Sequence, residues 1–213
     1  IAILDPALPA KMPKHITANT GMDVLAHAIE AYVSTAASPY TDALAIQAIK
    51  LVLENIVTAY EHGDNMEARN NMHNASALAG MAFTNASLGL IHSLAHKIGG
   101  EFGITHGLTN AILLPYIIQF NRKSTDKVSK LEKDLGIENL SSCIKELNEK
   151  LDIPLNFKDV TEVDMHEDKF KEVLVRMSEN AYNDPCTATN PRESDPKIVE
   201  MIYTSAYYGK DID

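Results

Sequence analysis

From Ser76 to Asn121 the chain runs 46 residues with Lys97 and Glu101 as its only formal charges, yet it carries three histidines, His92, His96 and His106. Charged residues are rarely buried, so a stretch this poor in charge marks the core of whatever the chain folds into. Asn85, Ser87, the histidines and several glycines interrupt it, which argues against a membrane span. The residues after Arg122 are dense in Lys, Glu and Asp and read as a solvated outer layer.

The periodicity is helical. Thr20 stands before GMDVLAHAIEAYV, where Leu25, Ile29, Tyr32 and Val33 recur at helical spacing, and this predicts a helix over residues 21–33. Ser38, Pro39 and Thr41 mark a turn and a cap. DALAIQAIKLVLENIVTAYEHG then keeps Leu44, Ile49, Val52, Leu53, Ile56 and Tyr60 in register as far as Gly63. Seven further helical segments follow, from MEARNNMHNASALAGMAFTNA to PKIVEMIYTSAYYG, and only the opening IAIL is strand-like. With 10 Gly and 9 Pro in 213 residues there is little to punctuate short strands. The fold class is all-α, a bundle of eight or nine helices, with a short strand-like lead-in over residues 1–5.

The net charge of -10, from 19 Lys and Arg against 29 Asp and Glu, repels a phosphate backbone and an acidic membrane surface, so neither nucleic acid nor membrane is an expected partner. Cys143 and Cys186 give neither a disulfide framework nor a zinc-ribbon spacing, which points to a reducing, cytoplasmic setting. The opening IAILDPALPAKMPKH has the pattern of neither a secretory signal nor a transit peptide, and without an initiator Met the chain reads as part of something longer.

Burying neutral imidazoles is unfavourable unless each finds a partner, and three so close together ask for a reason. A metal supplies one. His92 and His96 are four apart and share a helix face, and a loop with three glycines can return His106 at the start of the next helix. Asp23 and His27 show the same spacing on another apolar helix. Taken singly, Asp23 in a first turn is as readily a capping acid, and His27 or His96 a satisfied core histidine. Together, one carboxylate and two to three imidazoles suit Fe(II), Zn(II) or a similar divalent ion, and spacing alone does not say which histidines are ligands. His15, His62, His73 and His166 sit beside Lys, Gly, Asn or Glu and read as surface.

TGMD-x3-HAIEAYVS, the AGMAFTNASLG-x2-HSLAHKIGGEFGITHG block, the NAILLP run and DPCTATNPR together resemble the catalytic, C-terminal domain of the iron-dependent (group III) alcohol dehydrogenases. The wording over residues 42–80 is especially similar to the alcohol dehydrogenase half of bifunctional aldehyde-alcohol dehydrogenases. The resemblance covers nearly the whole chain. It implies a dehydroquinate synthase-like helical domain over residues 1–213 with Asp23, His27, His92 and His106 as metal ligands. It leaves His96 unligated, where nicotinamide and substrate meet, as a catalytic proton relay and a cofactor contact, and it places Phe83 and Cys186 at the substrate pocket. Thr105 stands where a Pro often precedes the last ligand, and Tyr116 where many members have His.

The same resemblance implies an NAD(P)-dependent enzyme that interconverts a primary alcohol or diol and its aldehyde by hydride transfer, with the metal, Fe(2+) or Zn(2+), as Lewis acid. It further implies a homo-oligomer. No G-x-G-x-x-G follows a strand in this chain, so the α/β nucleotide-binding domain is expected to be absent from it and the chain alone to be inactive with NAD or NADP. Two other readings use the same residues: a metal-dependent hydrolase or lyase domain, which would work without nicotinamide, and a non-catalytic helical interaction module, which would hold no stoichiometric metal.

Overall fold

The computed structural model describes residues 3–212 and contains, among them, nine α-helices and three short 3-10 turns, with no strand. The helices are α1 (Lys14–Val33), α2 (Pro39–Glu61), α3 (Met66–Ala86), α4 (Leu90–Phe102), α5 (His106–Asn121), α6 (Lys127–Leu135), α7 (Leu140–Lys150), α8 (Glu167–Tyr182) and α9 (Pro196–Tyr208). The all-α expectation holds. Of the strand-like lead-in expected over residues 1–5, residues 1 and 2 lie outside the described residues, and Ile3–Asp5 carry no regular structure.

α1 begins seven residues before the sequence boundary at Gly21. Thr20 does not cap it; its hydroxyl donates to Ile16 O at 2.7 Å inside the helix. The chain continues through Gly21 because α1 is pressed against its neighbours there: a Cβ on Gly21 would lie 2.6 Å from Ile56 Cδ1 and 2.9 Å from Met72 Cε. Asp23 therefore sits in mid-helix, and the reading of it as a capping acid falls away.

α1, α2 and α3 pack together, α5 lies against α1, α4 and α7, and α8 and α9 pair beyond α4. α2 starts where Ser38 and Thr41 form a reciprocal capping box with Pro39 in the first turn. It is long and apolar enough to cross a membrane by composition alone, but Ala45, Ala48, Ile49, Val52 and Ile56 bury one face in the core.

α5 is apolar on every side and buried almost throughout, as the charge-poor stretch requires. Its Pro115 has no N–H to give to Ala111 O, four residues back. Asn148 of α7, 37 residues beyond Ala111, donates its Nδ2 to that carbonyl at 2.8 Å and so accommodates the proline. The charged second half is more than an outer layer. Phe157, Phe170, Tyr203 and Tyr207 are fully buried there, and Phe170 stacks on Tyr207 with centroids 4.1 Å apart.

Candidate metal centre

Three helices converge on one carboxylate oxygen. Asp23 Oδ1 on α1 lies 3.7 Å from His27 Nδ1 on the same helix, 3.5 Å from His92 Nε2 on α4 and 3.5 Å from His106 Nε2 on α5. Asp23 and His27 share a face because they are four residues apart; His92 and His106 arrive through tertiary packing. His27 is sandwiched between His92, centroids 4.3 Å apart, and Phe83, 4.6 Å apart.

The turn that returns His106 differs from the flexible three-glycine loop expected. Gly99 and Gly100 are helical, and Gly103, at φ +73°, makes the reversal alone, a conformation that favours glycine. Gly107 matters for a different reason. A Cβ there would meet Asn19 O at 2.2 Å, so a residue without a side chain lets α5 start against the backbone of α1. Thr105, at the position where a Pro is common, accepts from Asn19 Nδ2 at 3.2 Å and so ties the same two helices. Tyr116 donates to Leu155 O at 2.7 Å, a role in packing α5.

Two polar residues at the centre have no counterpart in the sequence reading. Glu30, 2% exposed, binds His92 Nδ1 at 2.6 Å with one oxygen and accepts from Ile91 N at 2.6 Å with the other. Such a carboxylate behind an imidazole fixes its ring and turns Nε2 towards the centre. Asn110, fully buried, donates Nδ2 to Asp23 Oδ1 at 2.6 Å, and that nitrogen lies 3.0 Å from His106 Nε2 and 3.2 Å from His92 Nε2. Both had faint local signals. Glu30 is the one charged residue in the apolar run from Val24 to Val33, and Asn110 follows His106 at helical spacing.

The electrostatics fit a cation-binding set. Burial opposes ionisation of Asp23, but a hydrogen bond with His92 and the fields of His27 and His106 hold its pKa below the usual carboxylate value. Burial, reinforced by His92, lowers His27 to about 4 and leaves it neutral with a free lone pair. Burial also lowers His106. Burial alone would lower His92 as well, yet Glu30 and Asp23 outweigh it and raise its pKa to about 9. A divalent ion entering the set would replace that proton.

The donor spacing answers whether these residues fit a metal. Bonds of about 2.0–2.2 Å at tetrahedral angles place donor atoms roughly 3.3–3.6 Å apart. The three separations from Asp23 Oδ1, 3.5, 3.5 and 3.7 Å, are close to that range; the donor atoms of Asp23, His27 and His92 also lie within 4.8 Å of one another, whereas His106 meets the group through Asp23.

His96 does not join this set. Its Nδ1 lies 3.1 Å from Asp184 Oδ2, and its ring stacks on His106 with centroids 5.6 Å apart. Phe83 lines a cavity of about 430 Å³ along α1 and α3 that also touches Asp23, His27, Val24, Met72 and Gly80. Cys186 lies elsewhere, in the 3-10 turn Pro185–Thr189, where its N–H donates to Asp184 Oδ1 at 3.0 Å. His15, His62 and His166 are exposed, as expected. His73 is not: it is partly buried, borders the same cavity as Phe83, and its Nδ1 is buried without a hydrogen-bond partner.

Comparison with known proteins agrees with the all-α fold. Residues 17–207 match the family model described as "Fe-containing alcohol dehydrogenase family, C-terminal". The chain is 45% identical to the NADPH-dependent butanol dehydrogenase of Clostridium saccharobutylicum, over 100% of this chain and 56% of that protein. It is 42% identical to an aldehyde-alcohol dehydrogenase of Streptococcus pneumoniae, over 98% of this chain and 26% of the other. The solved iron-containing alcohol dehydrogenase of Thermococcus thioreducens superposes with a TM-score of 0.90 at 38% identity, over 98% of this chain and 55% of that one. The chain thus spans about half the length of the butanol dehydrogenase, and less of the aldehyde-alcohol dehydrogenase.

Proposed function

Because the chain belongs to the iron-containing alcohol dehydrogenase family, by its C-terminal domain, we propose that it is the metal-holding part of an NAD(P)-dependent enzyme that interconverts a small primary alcohol or diol and its aldehyde. Asp23, His27, His92 and His106 hold one divalent ion, with iron(II) favoured over zinc(II) by the family and either allowed by the donors. The observation that carries the reading is the convergence of three imidazoles on a single oxygen of Asp23 at 3.5–3.7 Å.

A divalent ion held there supplies Lewis acidity at the oxygen of a bound alcohol or aldehyde. The chain's own residues do the rest. Glu30 locks the His92 ring, and Asn110 holds the Asp23 carboxylate. Phe83, Val24 and Met72 give the adjoining cavity apolar walls suited to a short aliphatic chain and keep water from its carbon atoms. Asp184 holds His96 at Nδ1, which leaves Nε2 to take up or return the hydroxyl proton. NAD or NADP belongs to the part of the relatives' length that this chain does not span, consistent with the butanol dehydrogenase being NADPH-dependent. Free Cys143 and Cys186 support a reducing, cytoplasmic setting, and a homo-oligomer is the expected assembly.

Elemental analysis of anaerobically purified protein tests the reading. The chain is expected to hold roughly one iron or zinc ion at this centre, and the pair His92→Ala with His106→Ala to lose it together with the metal-dependent rise in Tm. Unchanged metal content and Tm in that double variant would overturn it.

A further inference from the structure

A second group of metal-ligating side chains stands beside the centre and shares no donor with it. His96 Nδ1, Asp184 Oδ2 and the Cys186 thiol offer donor atoms that all lie within 4.8 Å of one another, and the first two are 3.1 Å apart, close to the separation of ligands on one ion. Asp184 is 6% exposed and His96 40% exposed at the side chain, so the group has a dry acidic floor and an open approach.

The loop that carries Asp184 and Cys186 is fixed without any ligand. Asn190 and Asn121 exchange hydrogen bonds at 3.0 and 2.8 Å, Thr189 Oγ1 donates to Leu88 O at 2.6 Å, and Cys186 N donates to Asp184 Oδ1 at 3.0 Å. A rigid loop that presents a carboxylate and a thiol two residues apart, opposite an imidazole from another helix, is organised before a cation arrives.

We propose that His96, Asp184 and Cys186 form a second divalent-cation site, selective for Zn(II) and other thiophilic ions. One thiolate, one imidazole and one carboxylate, with water in the remaining position, is a zinc-type donor set, whereas the centre at Asp23 offers only nitrogen and oxygen. Lys97 Nζ, 2.8 Å from Asp184 Oδ2, is the resident monovalent cation. Its side chain is 30% exposed, so it can turn to solvent when a dication takes the carboxylate. On binding, the Sγ–H bond of Cys186 breaks, its proton goes to solvent and its electron pair forms the bond to the metal, with no change of oxidation state. On the functional reading above, a cation here would tie up His96 and inhibit the enzyme. The site itself does not depend on that reading.

Anaerobic titration of the reduced chain with Co(II) separates the two centres, because only a cobalt–sulfur bond gives a near-ultraviolet charge-transfer band. One equivalent is expected to give ligand-field bands alone, lost in His106→Ala. A further equivalent is expected to bring the charge-transfer band, retained in Cys143→Ser, lost in Cys186→Ser and displaced by Zn(II). Lys97→Gln should tighten that equivalent several-fold by removing the competing ammonium. Saturation without a charge-transfer band, or a band that survives Cys186→Ser, would overturn the second site. A charge-transfer band without any preceding ligand-field bands in the unsubstituted chain, or ligand-field bands unchanged in His106→Ala, would count against the first centre and leave the second standing.

Discussion

Asn110 Nδ2 donates to Asp23 Oδ1 at 2.6 Å, joining α5 to α1 across 87 residues of sequence. The nitrogen faces the carboxylate because an amide oxygen at that distance from ionised Asp23 would be repelled. The arrangement leaves Asn110 Oδ1 buried without a partner. An unsatisfied buried carbonyl is unfavourable by about 1–3 kcal/mol, so the amide is held there by what its nitrogen does. Replacing it by the near-isosteric Asn110→Leu frees the carboxylate to rotate. Divalent-ion affinity should fall roughly 10–100-fold, as for other residues that orient a ligand, while the far-ultraviolet circular dichroism stays helical. Competition against a fluorescent chelator measures this, and affinity within a factor of about two of wild type would show that Asp23 needs no such hold.

Glu30 and His92 form a buried pair, and removing one partner leaves the other desolvated and uncompensated. Glu30→Ala should destabilise the metal-free chain by about 3–5 kcal/mol in urea denaturation. Glu30→Gln keeps the volume and should cost less stability, with metal affinity still falling about tenfold or more because the amide holds the ring less firmly.

Metal uptake should depend on pH in a direction fixed by His92. With its pKa raised to about 9, His92 is protonated at neutral pH in the metal-free chain, whereas His27, lowered to about 4, is not. Binding near pH 7 therefore releases about one proton, and apparent affinity rises about tenfold per pH unit until about pH 9. Calorimetry in buffers of different ionisation enthalpy counts the proton. Stability of the metal-free chain moves the opposite way. The raised pKa gives stability that is fully present below the unfolded value of about 6.5 and lost as pH climbs through about 9, on the order of 3 kcal/mol. A metal-free Tm that rises across this interval would contradict the assignment.

Gly107→Ala should be among the most damaging single-methyl additions. The new Cβ would sit 2.2 Å from Asn19 O and 2.6 Å from its carbonyl carbon, atoms of a helix backbone that do not yield as a side chain tip does. A loss of at least about 3 kcal/mol is expected, the upper end for overpacking. Because His106 is the adjacent residue, metal affinity should fall in parallel. A Tm within a few degrees of wild type would mean that the two helices separate easily.

Local sequence patterns are enough to set the helices and the half of the centre that lies on α1. Periodicity, the cap at Ser38 and the absence of strand punctuation are properties of neighbours in the chain, and they marked nine helical segments. The Asp23 and His27 pairing was legible in the same way, because i,i+4 spacing is a local fact. The start of α1 was not: Thr20 and Gly21 look like a cap, and only the close approach of Ile56 and Met72 shows why the helix runs on through them. Tertiary structure alone chose the partners of the buried polar groups. It set Glu30 behind His92, Asn110 on Asp23, Asn148 on the carbonyl freed by Pro115, and Asp184 against His96, at separations of 62, 87, 37 and 88 residues. A buried polar atom must find a partner, but nothing in a run of neighbouring residues says where in space that partner stands.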